Sequence, residues 1–182
     1  LVTPQAPHHG LPWGYGPGWA WYRYLGEDRA ERRSLSQSLD ALEDFLENLP
    51  VRIGFEPGPL VLGGFSQGGT TSLAYAMTHP GSVDGVAVLS GVLARIDGVP
   101  RTEGGLAPED LAPEALANTP VFWGHGTQDP AVPFRLARTG WERLGGAGID
   151  LESREYQIGH WVSPDELRDL KAWLERSVPG WV

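Results

Sequence analysis

Apolar runs and amphipathic stretches alternate along the 182 residues of the chain. Residues 60–65, 83–91 and 120–124 are nearly continuous apolar runs, which is typical of strands buried on both faces of a parallel sheet. A fourth strand is predicted at residues 149–156. Helical segments are predicted between and after these strands. This alternation predicts one α/β domain over residues 1–182, with a mostly parallel sheet between two layers of helices.

The helices are predicted from apolar positions three and four residues apart. The first is an amphipathic helix that is capped near Ser34 and ends at Pro50; its apolar stripe is Leu35, Leu39, Leu42, Leu46 and Leu49. Two more helices are predicted at residues 67–79 and 133–144. The last begins with the capping-box sequence Ser163-Pro164-Asp165-Glu166. Its apolar positions are predicted to face the sheet: Leu167, Leu170, Trp173 and Leu174.

The stretches outside this alternation are predicted to be loops. Residues 1–3 resemble the end of a strand that Pro4 stops. Residues 4–22 are rich in proline, glycine and aromatic residues, which predicts an ordered loop that either walls a pocket or covers an exposed edge of the core. His8 and His9 within it are interpreted as loop residues rather than metal ligands. Residues 97–117 are predicted to form a surface loop with one short helix.

Composition excludes several classes of function. The net charge of −9 argues against nucleic acid or an anionic membrane as a partner. The absence of cysteine excludes disulfides, thiolate metal sites and a cysteine nucleophile. No apolar run is long enough to span a bilayer, and no signal-peptide pattern is present, so we expect a cytoplasmic protein. Because the sequence begins at Leu1 rather than Met, an earlier targeting segment stays open.

The strongest chemical signal is Gly64-Phe65-Ser66-Gln67-Gly68, which lies between a predicted strand and a predicted helix. Gly-x-Ser-x-Gly in this context is typical of a nucleophile elbow, in which a strained turn exposes the serine. We expect Gly64 and Gly68 to remove collisions around Ser66. The backbone N–H of Gln67 would then stabilise an oxyanion. In the alternative interpretation, Ser66 simply caps the helix.

An acid and a histidine follow two later strands of the predicted sheet. Because loops at the carboxyl ends of parallel strands share one edge, Asp129 and His160 should lie near Ser66. The order Ser, Asp, His is the one that nucleophile-elbow hydrolases require. Taken singly, Asp129 could only stabilise its turn and His160 could be an ordinary loop residue. Together with the elbow they predict a catalytic triad, and His125 is assigned a structural role.

Several motifs together resemble the phospholipase/carboxylesterase family of α/β hydrolases, which includes acyl-protein thioesterases. They are Thr3-Pro4-Gln5-Ala6-Pro7, Ala20-Trp21-Tyr22, the elbow, Gly124-His125-Gly126-Thr127-Gln128-Asp129-Pro130 and Tyr156-Gln157-Ile158-Gly159-His160. The resemblance implies an α/β-hydrolase fold without a lid and a serine carboxylesterase with Ser66, Asp129 and His160 as its triad. No cofactor or metal is expected. Trp21 and Trp161 are candidate walls of the substrate pocket.

Family members carry an earlier strand, ending in a His-Gly turn, that donates the second oxyanion N–H. We therefore expect the 182 residues to lack N-terminal strands of the domain. The predicted partner is a small acyl ester, and acyl-protein thioesterase or lysophospholipase activity with the same triad stays open. A homodimer also stays open as the assembly. From a different class of function, a non-catalytic binding module that retains the fold stays open as well.

Overall fold

The computed structural model describes residues 1–10, 17–96 and 106–181. Part of the aromatic loop, residues 11–16, and part of the predicted surface loop, residues 97–105, therefore lie outside the described residues. Strands β1 (His8–His9) and β2 (Trp19–Ala20) form a short antiparallel ribbon. The interpretation of the two histidines as loop residues was therefore wrong. The strand end predicted at residues 1–3 was also wrong, because this segment pairs with no strand among the described residues.

Helix α1 (Arg32–Glu47) buries Leu35, Leu39 and Leu42 of the predicted stripe and partly buries Leu46, but the ends of the helix differ from the prediction. The cap is Glu31, whose carboxylate accepts hydrogen bonds from the backbone N–H groups of Arg33 and Ser34. Helix α2 (Leu49–Ile53) follows at once, with Pro50 in its first turn. A proline fits there because the first N–H groups of a helix have no acceptor within it. Pro50 thus lies in the first turn of α2 and does not end α1.

The four predicted strands form one parallel sheet, as the apolar runs predicted. In chain order the elements are β3 (Val61–Phe65), α3 (Gln67–Thr78), β4 (Gly85–Leu89), β5 (Val121–Gly126), α4 (Phe134–Gly146) and β6 (Leu151–Tyr156). The strand order is β3-β4-β5-β6. Two short 3-10 turns, Pro108–Leu111 and Pro113–Leu116, lie before β5. Because every pair in this sheet is parallel, the loops after all four strands lie at one edge.

Helices cover both faces of the sheet. Helices α1, α3 and α4 pack on one face around Val88 and Trp123. Helix α5 (Pro164–Ser177) packs on the other face, where Trp173 contacts Phe122 with ring centroids 5.9 Å apart. Of the positions predicted to face the sheet, Trp173 is buried, whereas Leu167 is 53% exposed. None of the described helices is both long and apolar enough to pass through a bilayer.

Strand β3 lies at the edge of the sheet, paired only with β4 within the described ranges. An apolar cavity of about 1260 Å³ lies beside it, lined by the whole of β3 and by side chains of α5. An open strand edge exposes unpaired backbone N–H and C=O groups, which natural proteins generally cover. The expectation that the domain contains further N-terminal strands stays a prediction.

Two glycines of α4 offer a matched test of the core. A Cβ added at Gly140 would lie 2.5 Å from the ring of the buried Trp123, whereas a Cβ at Gly145 would meet no described atom within 4 Å. We expect Gly140→Ala to lower the free energy of unfolding by about 1–3 kcal/mol through overpacking. Gly145→Ala should raise it by up to about 1 kcal/mol through helix propensity. Denaturant unfolding checks both, and equal stabilities would contradict the packing described here.

Candidate active site

Ser66 occupies a strained turn between β3 and α3. Its backbone angles are φ 56° and ψ −117°, a region that residues with a side chain rarely adopt. The Ser66 N–H donates to the Leu89 carbonyl at 2.7 Å, and the Ser66 carbonyl accepts from the Thr70 N–H at 3.1 Å. Strain of this kind costs of order 1–3 kcal/mol and occurs mostly at functional sites. The turn therefore has the backbone geometry that the elbow motif predicts.

Close backbone approach requires two glycines at this turn. A Cβ at Gly64 would lie 2.5 Å from the backbone carbon of Gly68, and a Cβ at Gly69 would lie 2.6 Å from the Gly64 carbonyl oxygen. The nearest described atom to a Cβ at Gly68 is Nε1 of Trp21, at 4.0 Å. The explanation given for Gly64 was therefore correct. The explanation given for Gly68 was wrong, because Gly69 rather than Gly68 makes the close contact.

The loops after β5 and β6 are bonded to each other. The Thr127 N–H donates to the Tyr156 carbonyl at 2.7 Å, and the Gln128 N–H donates to the Ile158 carbonyl at 3.0 Å. A Cβ at Gly126 would lie 2.5 Å from that Ile158 oxygen, so only glycine allows this approach. The two loops carry the predicted catalytic acid and histidine, which this contact brings together.

Asp129 and His160 form a buried hydrogen-bonded pair. Nδ1 of His160 lies 2.7 Å from Oδ2 of Asp129, and the Asp129 side chain is inaccessible to solvent. The other oxygen, Oδ1, accepts from the N–H groups of Ala131 and Val132, each at 2.8 Å. The Asp129 carboxylate is thus held through both of its oxygens. Because the carboxylate accepts the proton on Nδ1, the basic nitrogen of a neutral His160 is Nε2.

His125 lies next to this pair but has a different environment. Its imidazole is fully buried, and its Nε2 lies 2.9 Å from the Val132 carbonyl and 3.7 Å from Oδ2 of Asp129. Burial lowers the pKa of His125, and the hydrogen bond to the Val132 carbonyl and the nearby Asp129 only partly oppose this shift. A neutral ring that donates to a backbone carbonyl fits the structural role assigned to His125.

Ser66 and His160 lie at the same cavity without being hydrogen-bonded. Both residues line the apolar cavity beside β3, and the His160 ring packs on Phe65 with centroids 4.5 Å apart. The hydrogen bonds of the described residues do not include one between the Ser66 hydroxyl and the His160 ring. Catalytic hydrogen bonds are often long or poorly aligned before a substrate binds. The Ser66–His160 contact therefore stays a prediction.

The other predicted site residues take different positions. Gln67 begins α3 directly after Ser66, and Trp21 lines the cavity. Trp161 does not lie among the lining residues. Its ring covers the backbone of Gly159, where a Cβ would lie 2.6 Å from the ring, and it is 57% exposed. Trp161 thus packs over the loop of His160 instead of walling the cavity.

Glu166 is a buried carboxyl group whose environment the sequence did not reveal. The capping box was predicted correctly: the Glu166 N–H donates to Oγ of Ser163, and the carboxylate accepts from the Ser163 N–H at 3.4 Å. However, Oε1 of Glu166 is buried against Gly124 without a hydrogen-bond partner among the described residues. Burial raises the pKa of Glu166 to about 7, with the Ser163 hydrogen bond opposing the shift.

We expect Glu166→Gln to stabilise the protein above pH 7 but not near pH 4. Below about pH 4.5, Glu166 keeps its proton in both folded and unfolded chains and contributes no pH dependence. Between pH 4.5 and 7 only the unfolded chain releases the proton, so the wild type loses stability as pH rises. The loss of unfolding free energy should reach roughly 3 kcal/mol. Urea unfolding at pH 4 and 8 measures this loss; an equal difference between the two proteins at both pH values would contradict this pKa.

Comparison with known proteins decides the family. The sequence matches the phospholipase/carboxylesterase family over residues 1–178. The chain belongs to this family. It is thus an α/β hydrolase, as its motifs predicted, and the parallel sheet with helices on both faces agrees with that fold.

The relatives of this α/β hydrolase carry two kinds of name. Acyl-protein thioesterase 1 of Gibberella zeae is 31% identical over 98% of this chain and 77% of its own length. A probable carboxylesterase of Oryza sativa subsp. japonica is 31% identical over 94% of this chain, which spans only 64% of that protein. The crystal structure of esterase PE8 is 29% identical, with a TM-score of 0.73 over 97% of this chain and 78% of that one.

Proposed function

We propose that the protein is a serine carboxylesterase that hydrolyses carboxylic acyl esters through an acyl-enzyme on Ser66. One observation carries the proposal: a serine in a strained turn and a histidine bonded to a buried aspartate line the same apolar cavity. The strained turn places Ser66 at the cavity, and the aspartate leaves the far nitrogen of the imidazole free to accept the serine proton. The names of the relatives agree with ester or thioester hydrolysis.

Acylation begins when the Ser66 hydroxyl attacks the ester carbonyl. Nε2 of His160 takes the hydroxyl proton as the bond between Oγ and the carbonyl carbon forms, and the carbonyl oxygen becomes an oxyanion. The N–H of Gln67, at the N-terminus of α3, would donate to this oxyanion. Collapse of the intermediate breaks the bond to the alcohol oxygen, which leaves with the proton held by His160.

Deacylation repeats these steps with water as the nucleophile. His160 takes a proton from the water as its oxygen attacks the acyl carbon. The second intermediate then collapses, the carbonyl carbon releases Oγ of Ser66, and the serine regains its proton from His160. Throughout, Asp129 holds the imidazole in one tautomer and stabilises its positive charge. The products are one carboxylic acid and one alcohol, so no cofactor is consumed.

Thioester hydrolysis is the second candidate, because relatives that cover most of this chain are named acyl-protein thioesterases. The same nucleophile and base would serve, with a thiol instead of an alcohol as the leaving group. The cavity suits an acyl chain in either case, since side chains such as Leu62, Val92 and Val132 line it.

A substrate panel tests the proposal and separates the two candidates. Nitrophenyl esters of increasing acyl length should be hydrolysed with release of one acid per nitrophenol. An S-acylated peptide and its O-acylated serine counterpart should then be compared at equal acyl length. A preference for the thioester of tenfold or more would favour the second candidate. Folded protein that cleaves none of these substrates would contradict both and favour a binding module.

A further inference from the structure

The side chain of Gln67 binds the backbone of a distant segment. Its Oε1 accepts from the Trp21 N–H at 3.0 Å, and its Nε2 donates to the Tyr22 carbonyl at 2.8 Å. Both partners are backbone atoms about 45 residues away along the chain. Only an amide with a side chain of this length supplies a donor and an acceptor together at these positions. The contact therefore fixes the path of residues 21–22 whatever their side chains are.

The segment held in this way forms part of the cavity beside Ser66. Trp21 and Tyr22 both line that cavity, and Tyr22 also packs into the main core. On the other side of this segment, the Trp21 carbonyl accepts a hydrogen bond from the Ser38 hydroxyl of α1. Residues 21–22 are thus held between α1 and the first residue of α3, which directly follows the proposed nucleophile.

We propose that Gln67 is a positioning residue whose side chain sets the acyl-chain preference of the enzyme, by holding the Trp21 wall at a set distance from Ser66. The inference rests on the proposed function. Gln67 would then act on both parts of the substrate. Its backbone N–H would face the reacting carbonyl, and its side-chain amide would position the wall along which the acyl chain lies. Loss of the amide should affect long acyl chains, which reach the wall, more than short chains, which do not.

Kinetics of Gln67→Met test the inference, because methionine keeps the length of the side chain but neither donates nor accepts strongly. We expect kcat/KM to fall about tenfold more for nitrophenyl octanoate than for nitrophenyl acetate. The difference should arise mainly through KM, since a misplaced wall weakens binding of the long acyl chain. Trp21→Ala should cause a similar fall, and the double variant should fall no further, since both changes remove the same wall.

Thr78→Ala is the matched control, since the Thr78 hydroxyl donates to backbone carbonyls at the other end of α3. It should leave the ratio of octanoate to acetate hydrolysis unchanged even if it lowers stability. A Gln67→Met enzyme that is folded and active with the wild-type ratio would overturn the inference. So would additive losses in the double variant.

Amide hydrogen exchange gives a readout that does not depend on turnover. The Trp21 N–H should exchange at least tenfold faster in Gln67→Met than in the wild type, because its acceptor is gone. Unchanged protection at Trp21 would overturn the inference even if activity changed. Wild-type protein without any esterase activity would instead contradict the proposed function, while exchange would still decide whether Gln67 holds the segment.

Discussion

Ser66→Ala should abolish ester hydrolysis, with kcat falling by about 10⁴- to 10⁶-fold, while the protein stays folded. Alanine keeps the Cβ and the strained backbone but offers no oxygen to form the acyl-enzyme, so both halves of the reaction are lost. The backbone bond from residue 66 to the Leu89 carbonyl does not involve the hydroxyl and should persist. Initial rates with a nitrophenyl ester, together with circular dichroism, measure the effect.

Ser82→Ala is the matched control for this variant. Ser82 is exposed, and its hydroxyl donates to the His79 carbonyl just beyond α3, away from the cavity. Its removal should leave kcat within about twofold of the wild type, as for most surface substitutions. If Ser66→Ala retained a tenth or more of the wild-type rate, Ser66 would not be the nucleophile.

Asp129→Asn should lower kcat by about 10³- to 10⁴-fold without unfolding the loop. An asparagine oxygen at the Oδ1 position can still accept from the N–H groups of Ala131 and Val132. The amide nitrogen would then replace Oδ2 and face Nδ1 of His160. In the wild type, Nδ1 lies 2.7 Å from Oδ2 and donates its proton to this oxygen. Two donors cannot bond, so the imidazole would shift its proton to Nε2 and lose the basic nitrogen that must face Ser66.

Rates of ester hydrolysis over a range of pH report the change at the imidazole of Asp129→Asn, and thermal unfolding shows whether the variant has lost structure. Asp165→Asn is the control, since Asp165 is exposed and forms an ion pair with Arg168 on the surface of α5. It should leave the rate within about twofold of the wild type. An Asp129→Asn enzyme with near wild-type kcat would contradict the role proposed for the Asp129–His160 pair.

The order of the fold could be predicted from the sequence because strands buried on both faces are apolar along their whole length. The runs that became β3, β4 and β5 were visible for this reason, and the elbow was visible because close backbone contact requires a glycine at Gly64 of its motif. The proximity of Asp129 and His160 could be predicted because both follow strands of a parallel sheet, whose loops share one edge, and because the order Ser, Asp, His matches the elbow motif.

The errors arose where distant parts of the chain determine the local structure. Glu31 rather than Ser34 caps α1, because Ser34 instead accepts from the Arg23 N–H across a tertiary contact. Trp161 was predicted to wall the pocket because it follows His160, yet its ring packs on Gly159. The ribbon β1–β2 joins two-residue strands, which are too short to give an alternating pattern.

Two side-chain environments could not be found by pattern at all. The amide of Gln67 reaches a backbone segment about 45 residues away, and no local motif signals such a contact. The second oxygen of Glu166 is buried against β5, although its capping box is entirely local. In both cases the residue type was visible in the sequence, and only the fold showed what the side chain contacts.

Covalent labelling tests the central claim most directly. The intact protein, treated with a fluorophosphonate and analysed by mass spectrometry, should gain the mass of one adduct, and the peptide that contains Ser66 should carry it. Ser66→Ala should gain none, and Asp129→Asn should react at least about a hundredfold more slowly. Active protein whose adduct maps to another residue, or that remains unlabelled, would contradict the assignment of Ser66 as a nucleophile activated by His160 and Asp129.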